Sequence, residues 1–162
     1  MVRLQRLTTE YDAAQDRIRL SGLDAERRPH LIWLTRRLLR LLVPALVRWL
    51  EQHDGVVQAA VVQSFAQEVA RAGIVPQTAV NAASGPAWLA QAVDLGRAGD
   101  LLSLSLRDGA GATVTVMLSA RQLRQWLSML QHGAVQGDWD LAEWPAWMSP
   151  ELAAPEGSTV LH

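Results

Sequence analysis

The chain has no cysteine among its 162 residues. That excludes disulfide bonds, thiolate nucleophiles and cysteine metal sites together. Lysine is missing too, so all 15 basic residues are arginines. An Arg-only chain rich in Ala and Leu is what the codon bias of a GC-rich bacterial genome produces. Net charge is nearly absent, because 16 acids offset the 15 arginines, and no polyanion partner follows from charge alone. Long hydrophobic runs are also missing. The most apolar stretch, Leu38 to Leu50, is interrupted by Arg40, Pro44 and Arg48, which leaves it too short and too charged to cross a bilayer. The start, Met1-Val2-Arg3-Leu4, lacks the apolar run of a signal peptide. The expectation is a cytoplasmic protein with no membrane partner.

What charge there is lies unevenly. Residues 1 to 48 hold ten Arg against five acids, and residues 100 to 162 hold three Arg against seven acids. Such ends can meet within one molecule, between copies or through separate partners.

A strand running straight into a helix occurs twice. Leu34, Thr35, Arg37, Leu39 and Arg40 correspond to Leu118, Ser119, Arg121, Leu123 and Arg124 at a constant offset of 84 positions. In both copies a hydroxyl residue stands where alternation gives way to helical spacing, and its oxygen is suited to accept the helix's first free N–H groups. Alternation predicts a short first strand from Val2, strands over Asp16 to Ser21 and His30 to Leu34, and a hairpin over Leu102 to Leu106 and Val114 to Leu118. Trp88 to Leu95, closed by Gly96 and Gly99, reads as one more strand.

The first helix spans Arg36 to Gln52, with Pro44 expected to kink or restart it. A second helix reaches Ala72, with Val57, Ala60, Val61, Ser64, Phe65, Val69 and Ala72 as its inward stripe and Gln58, Gln63, Gln67 and Arg71 away from it. Together they predict a helical hairpin over about 36–72. The last helix is expected over about 120–132, with Leu123, Trp126, Leu127 and Leu130 as its stripe and Gly133 as its stop. A Trp-rich tail follows at 138–148. These elements predict an α+β fold: a small antiparallel β-sandwich or sheet with an inserted helical hairpin and a C-terminal amphipathic helix. They make a single domain over 1–149, followed by a disordered tail at 150–162.

Catalytic chemistry has no visible machinery in these residues. His30, His53, His132 and His162 lie far apart, without ligand spacing. Asp138, Asp140 and Glu143 alternate like oxygen ligands, yet the remaining EF-hand ligands and glycine are missing. Asp108-Gly109-Ala110-Gly111 precedes a strand, whereas a phosphate cradle needs a helix there. No serine stands in a nucleophile elbow. The expectation is a non-enzyme without cofactor or metal.

The order of elements is N-terminal strands, a helical hairpin, further strands, and an amphipathic helix entered directly from the last strand. This order resembles the globular head of the superfamily containing the DNA end-joining scaffold proteins and the centriolar cartwheel protein. The resemblance covers about residues 1 to 132 and is nearest over Trp88 to Gly133. It implies a β-sandwich interrupted by a helix-turn-helix, and a non-catalytic head that self-associates. The predicted stop at Gly133 departs from the long stalk helix of that superfamily.

Three functional readings follow. The first is a structural or adaptor protein acting as a homodimer, or on a protein partner, through Leu123, Trp126, Leu127 and Leu130 or through Trp144 and Trp147. The second is a nucleic-acid-associated protein, in which Arg27, Arg28, Arg36, Arg37 and Arg40, with Trp33, contact phosphates and bases. The third is a small-ligand-binding domain, for which no residues stand out.

Overall fold

The N-terminal strand runs much further than the first few residues that alternate. In the computed structural model, which describes residues 1–53, 60–140 and 144–149, β1 spans Val2–Asp12 and is followed by β2 (Arg17–Asp24) and β3 (Pro29–Leu34). Two helices come next, α1 (Arg36–Gln52) and α2 (Ala60–Ala72). The chain then returns through β4 (Ala87–Leu89), β5 (Ala92–Ala98), β6 (Leu101–Arg107) and β7 (Thr113–Leu118) to α3 (Ala120–Gln136). The fold is α+β. A 3₁₀ turn at Ala146–Met148 ends the described chain.

The strands make one sheet in the order β4-β3-β2-β1-β7-β6-β5. The sheet is mixed, in contrast to the antiparallel expectation: β1 runs parallel to β7 through Val2 and Arg3, and β3 runs parallel to β4. β1 joins the two halves, because Val2 and Arg3 pair with β7 while Leu4 and, past a bulge between Leu4 and Arg6, the rest of the strand pair with β2. The sheet also curls. The Ala90 N–H donates to the Trp33 carbonyl and the next N–H, of Gln91, to the Arg107 carbonyl. Two consecutive residues thus bridge the opposite margins, and this is why the single strand expected over Trp88 to Leu95 is divided into β4 and β5.

Each strand-to-helix junction is capped as its hydroxyl implies. Thr35 accepts from the Leu38 N–H, and Ser119 Oγ accepts from the Gln122 N–H while Gln122 Oε1 accepts from the Ser119 N–H. α1 is one helix through Pro44 rather than two pieces. It buries Leu38, Leu39, Leu42, Val43, Leu46, Val47 and Leu50, while Arg40, one turn before Pro44, lies on the solvent side.

α3 does not stop at Gly133. It continues to Gln136, with Gly137 at its cap. A Cβ on Gly133 would come within 2.5 Å of Ile18 Cδ1, so this glycine permits close approach of the helix to β2. One core of buried side chains, from Leu4 to Met148, holds sheet, α1, α3 and the end of the tail together. No helix among the described residues is long and apolar enough to cross a membrane.

Candidate interaction site

The structure places the expected contact residues inside the chain's own fold. Leu123, Leu127 and Leu130 are fully buried and Trp126 nearly so, with the Trp126 indole N–H donating to Thr9 Oγ1 of β1. In the chain's own fold the α3 stripe expected as a contact surface is covered by the sheet. The tail is docked as well. Trp147 is buried, donates to Glu51 Oε1 of α1, and lies beneath the Arg124 guanidinium, 5.4 Å from the ring centroid. Gln131 of α3 donates to the Met148 carbonyl. Trp139 donates to Asp16 Oδ1 and meets Tyr11 edge-on at 5.8 Å. Trp144 is half-buried against the same core.

The arginines expected to form one cluster fall into two groups. Arg27 and Arg28 lie in the loop before β3, and Arg36, Arg37 and Arg40 lie beyond its other end. Six strand residues, about 20 Å, separate them. All five are exposed, but Arg28 is engaged, bonding Asp24 at 3.0 Å and Glu26 at 3.1 Å. Trp33 sits in β3, opposite Arg19 of β2 and beside Leu89 of β4. Arg36 and Arg40 line a cleft with Trp139, Asp140 and Trp144 that holds about 20 Å³, room for a single water. A second small cavity, among Leu7, Leu20, Leu104 and Trp126, has no space for one. Neither is a chamber for a small ligand. Among the described residues no group of three His, Asp or Glu side chains could hold a metal, and Glu143, third in the alternating acidic series, lies outside those residues.

Periodicity singled out the residues of α2 but assigned them to the wrong side. The glutamines expected at the surface are interior: Gln63 is 1% and Gln67 2% exposed. The stripe expected to be interior is outside, with Val61 79%, Phe65 68% and Val69 49% exposed, and Val62 beside them. Val57 and Gln58 lie outside the described residues.

The cause is the neighbour. α2 packs chiefly on α3 and the 3₁₀ turn, so the hairpin partner expected in α1 is not its main support. The apolar side of α3 is already spent on the sheet, so α2 meets its polar side. Arg124 donates to the side-chain oxygen of Gln63, Gln67 Nε2 to the Arg124 carbonyl at 2.9 Å, Arg71 Nε to Ser128 Oγ at 3.1 Å, and Gln125 Nε2 to the Ala70 carbonyl at 3.0 Å. Gln63, Gln67 and Arg71 recur every fourth residue and therefore share one face. That polar face must turn inward, and the apolar face opposite turns to solvent.

When the chain is compared with protein-family models, curated proteins and solved structures, none matches it.

Proposed function

We propose that this chain is a non-catalytic structural or adaptor module, and that it works by offering the outer face of α2 to a protein partner. The observation that carries the proposal is the orientation of that helix, which hydrogen-bonds inward through glutamines and presents Val61, Val62, Phe65 and Val69 to water. Contiguous exposed apolar side chains on a folded domain mark a contact surface. The resemblance to the heads of the end-joining scaffolds and the cartwheel protein belongs to the same proposal, with the curled sheet as the small sandwich and α1 and α2 as its inserted pair of helices. Element order supports it.

A stability comparison tests the contact reading whatever the partner. Changing Val61, Phe65 and Val69 together to Ser is expected to leave the urea midpoint of the dilute protein within about 0.5 kcal/mol of the parent. A loss of about 2 kcal/mol or more would assign the stripe to the chain's own core and remove the proposal.

A further inference from the structure

We infer that the outward face of α1 binds the phosphate backbone of duplex DNA. The charge of that face carries the inference. The exposed positions of α1 are Arg36, Arg37, Arg40, Leu41, Arg48 and Gln52, four cations and no acid. Arg48, outside the expected cluster, extends the strip along the helix. Arg36, Arg37 and Arg48 make no ion pair among the described residues. The acids that approach the strip have other partners or lie to one side. Asp16 accepts from Tyr11 and Trp139, Glu51 accepts from Trp147, and Asp140 stands in the cleft beside Arg36 and Arg40.

The helix itself does not favour this arrangement. Its first turn holds Arg36 and Arg37 and no acid, although the positive end of a helix dipole repels cations. Arg36 and Arg40, four positions apart, repel each other as well. An external anion offsets both effects.

Spacing selects the anion. Arg37 and Arg48 are about three turns apart and so stand on one line of the helix. Along the axis Arg48 lies about 12 Å from Arg40 and about 16 Å from Arg37. The major groove of B-form DNA is about 12 Å wide. The strip therefore spans it, with the arginines of the first two turns at one rim and Arg48 at the other. Duplex RNA has a deep, narrow major groove whose rims are closer together.

Other polyanions fit this face less well. A helix that binds a lipid surface inserts an apolar side, and that of α1 is buried in the core, leaving Leu41 as the one apolar residue among its exposed positions. Single strands are held by stacking on aromatic rings, and the aromatic residue of α1, Trp49, is half-buried with Arg97 over its ring. Phosphate contacts carry no sequence information, so binding is independent of base sequence.

Fluorescence anisotropy of a labelled duplex with the full-length chain tests the inference. Binding is expected at about 50 mM salt, with a slope of log K on log salt of about −3, the value for three to four phosphate contacts. Changing Arg37 and Arg48 together to Gln should weaken binding about tenfold or more and reduce the slope by about 2, at an unchanged urea midpoint. Changing both to Lys should preserve binding, because a phosphate contact needs the charge. Changing Arg3 and Arg27 together to Gln, which removes the same charge from exposed positions outside α1, should alter affinity less than about twofold. No binding at about 50 mM salt, or equal losses from the two Gln pairs, would overturn the inference. A slope shallower than about −2 in the unmodified chain, which needs no variant, would overturn it as well. Tighter binding to single-stranded DNA, duplex RNA or vesicles of anionic phospholipid would overturn duplex DNA as the partner. None of these outcomes depends on the outer face of α2.

Discussion

In α3 the apolar residues at 123, 126, 127 and 130 face the sheet and are sealed from water. In α2 those at 61, 65 and 69 recur at helical spacing and face solvent. The two helices pack on each other, and α3 determines the orientation of its neighbour. Its apolar side belongs to the sheet, so α2 meets its polar side, where Arg124, Gln125 and Ser128 bond to it. An amphipathic pattern thus identifies two faces of a helix without saying which one is inside. Burying the glutamines is tolerable because Gln63 Oε1 accepts from Arg124 and Gln67 Nε2 donates to the Arg124 carbonyl, which leaves Gln67 Oε1 as the buried atom of the pair without a partner among the described residues.

The contrast is sharpest if one side chain is removed from each helix. Leu127→Ala is expected to cost about 3 kcal/mol, since Leu127 is fully buried and truncation leaves a cavity between helix and sheet. A shift of the urea midpoint corresponding to less than 1 kcal/mol would mean that the α3 stripe is not the clamp that its burial indicates, and would erase the difference from the exposed residues of α2.

The seam itself is the next point to break. Arg124→Ala removes the donor to Gln63 and the cation above Trp147. A buried amide left unpaired costs about 1 to 3 kcal/mol, and the expected loss is about 2 kcal/mol. Amide hydrogen exchange should show α2 opening before the rest of the fold. If α2 stays as protected as in the parent, the polar seam is not what turns its apolar side outward.

Much of the fold was legible because its signals were local. Ile18 and Leu20, Leu102 to Leu106, and the hydroxyls Thr35 and Ser119 each specify an element from their own neighbourhood. What was not legible depended on distant partners. Gly133 has the look of a helix stop, but it is a contact with Ile18, 115 positions away in sequence. The division between β4 and β5 follows from the meeting of margins at Trp33 and Arg107. The inverted α2 could have been detected only by asking what covers the polar side of α3, where Arg121, Arg124, Gln125 and Ser128 lie within eight residues. The α3 stripe and the tail tryptophans, expected as contacts for a second molecule, are covered by the chain's own sheet, α1 and α3.

A last and smaller effect separates the seam from the loop between β2 and β3 by acid alone. Asp24, with its side chain 2% exposed, closes the turn between β2 and β3. It bonds His30 Nε2 at 3.0 Å, the N–H groups of Glu26 and Arg28, and the Arg28 guanidinium. These partners, His30 foremost, lower its pKa from 3.8 to about 2. A folded-state value below the unfolded one contributes stability above pH 3.8 that disappears as the pH falls through about 2. The hydrogen-bonding groups of the α2–α3 seam, by contrast, are amides, a hydroxyl and guanidinium groups, none of which titrates in that window. Urea midpoints of the parent should therefore fall from pH 4 to pH 2 with a component that Asp24→Asn removes, because the amide cannot take up the proton. Arg124→Ala should leave that component unchanged. Parallel acid profiles for the parent and Asp24→Asn would show that this turn does not set the acid sensitivity, and the contrast between loop and seam would then rest on hydrogen exchange alone.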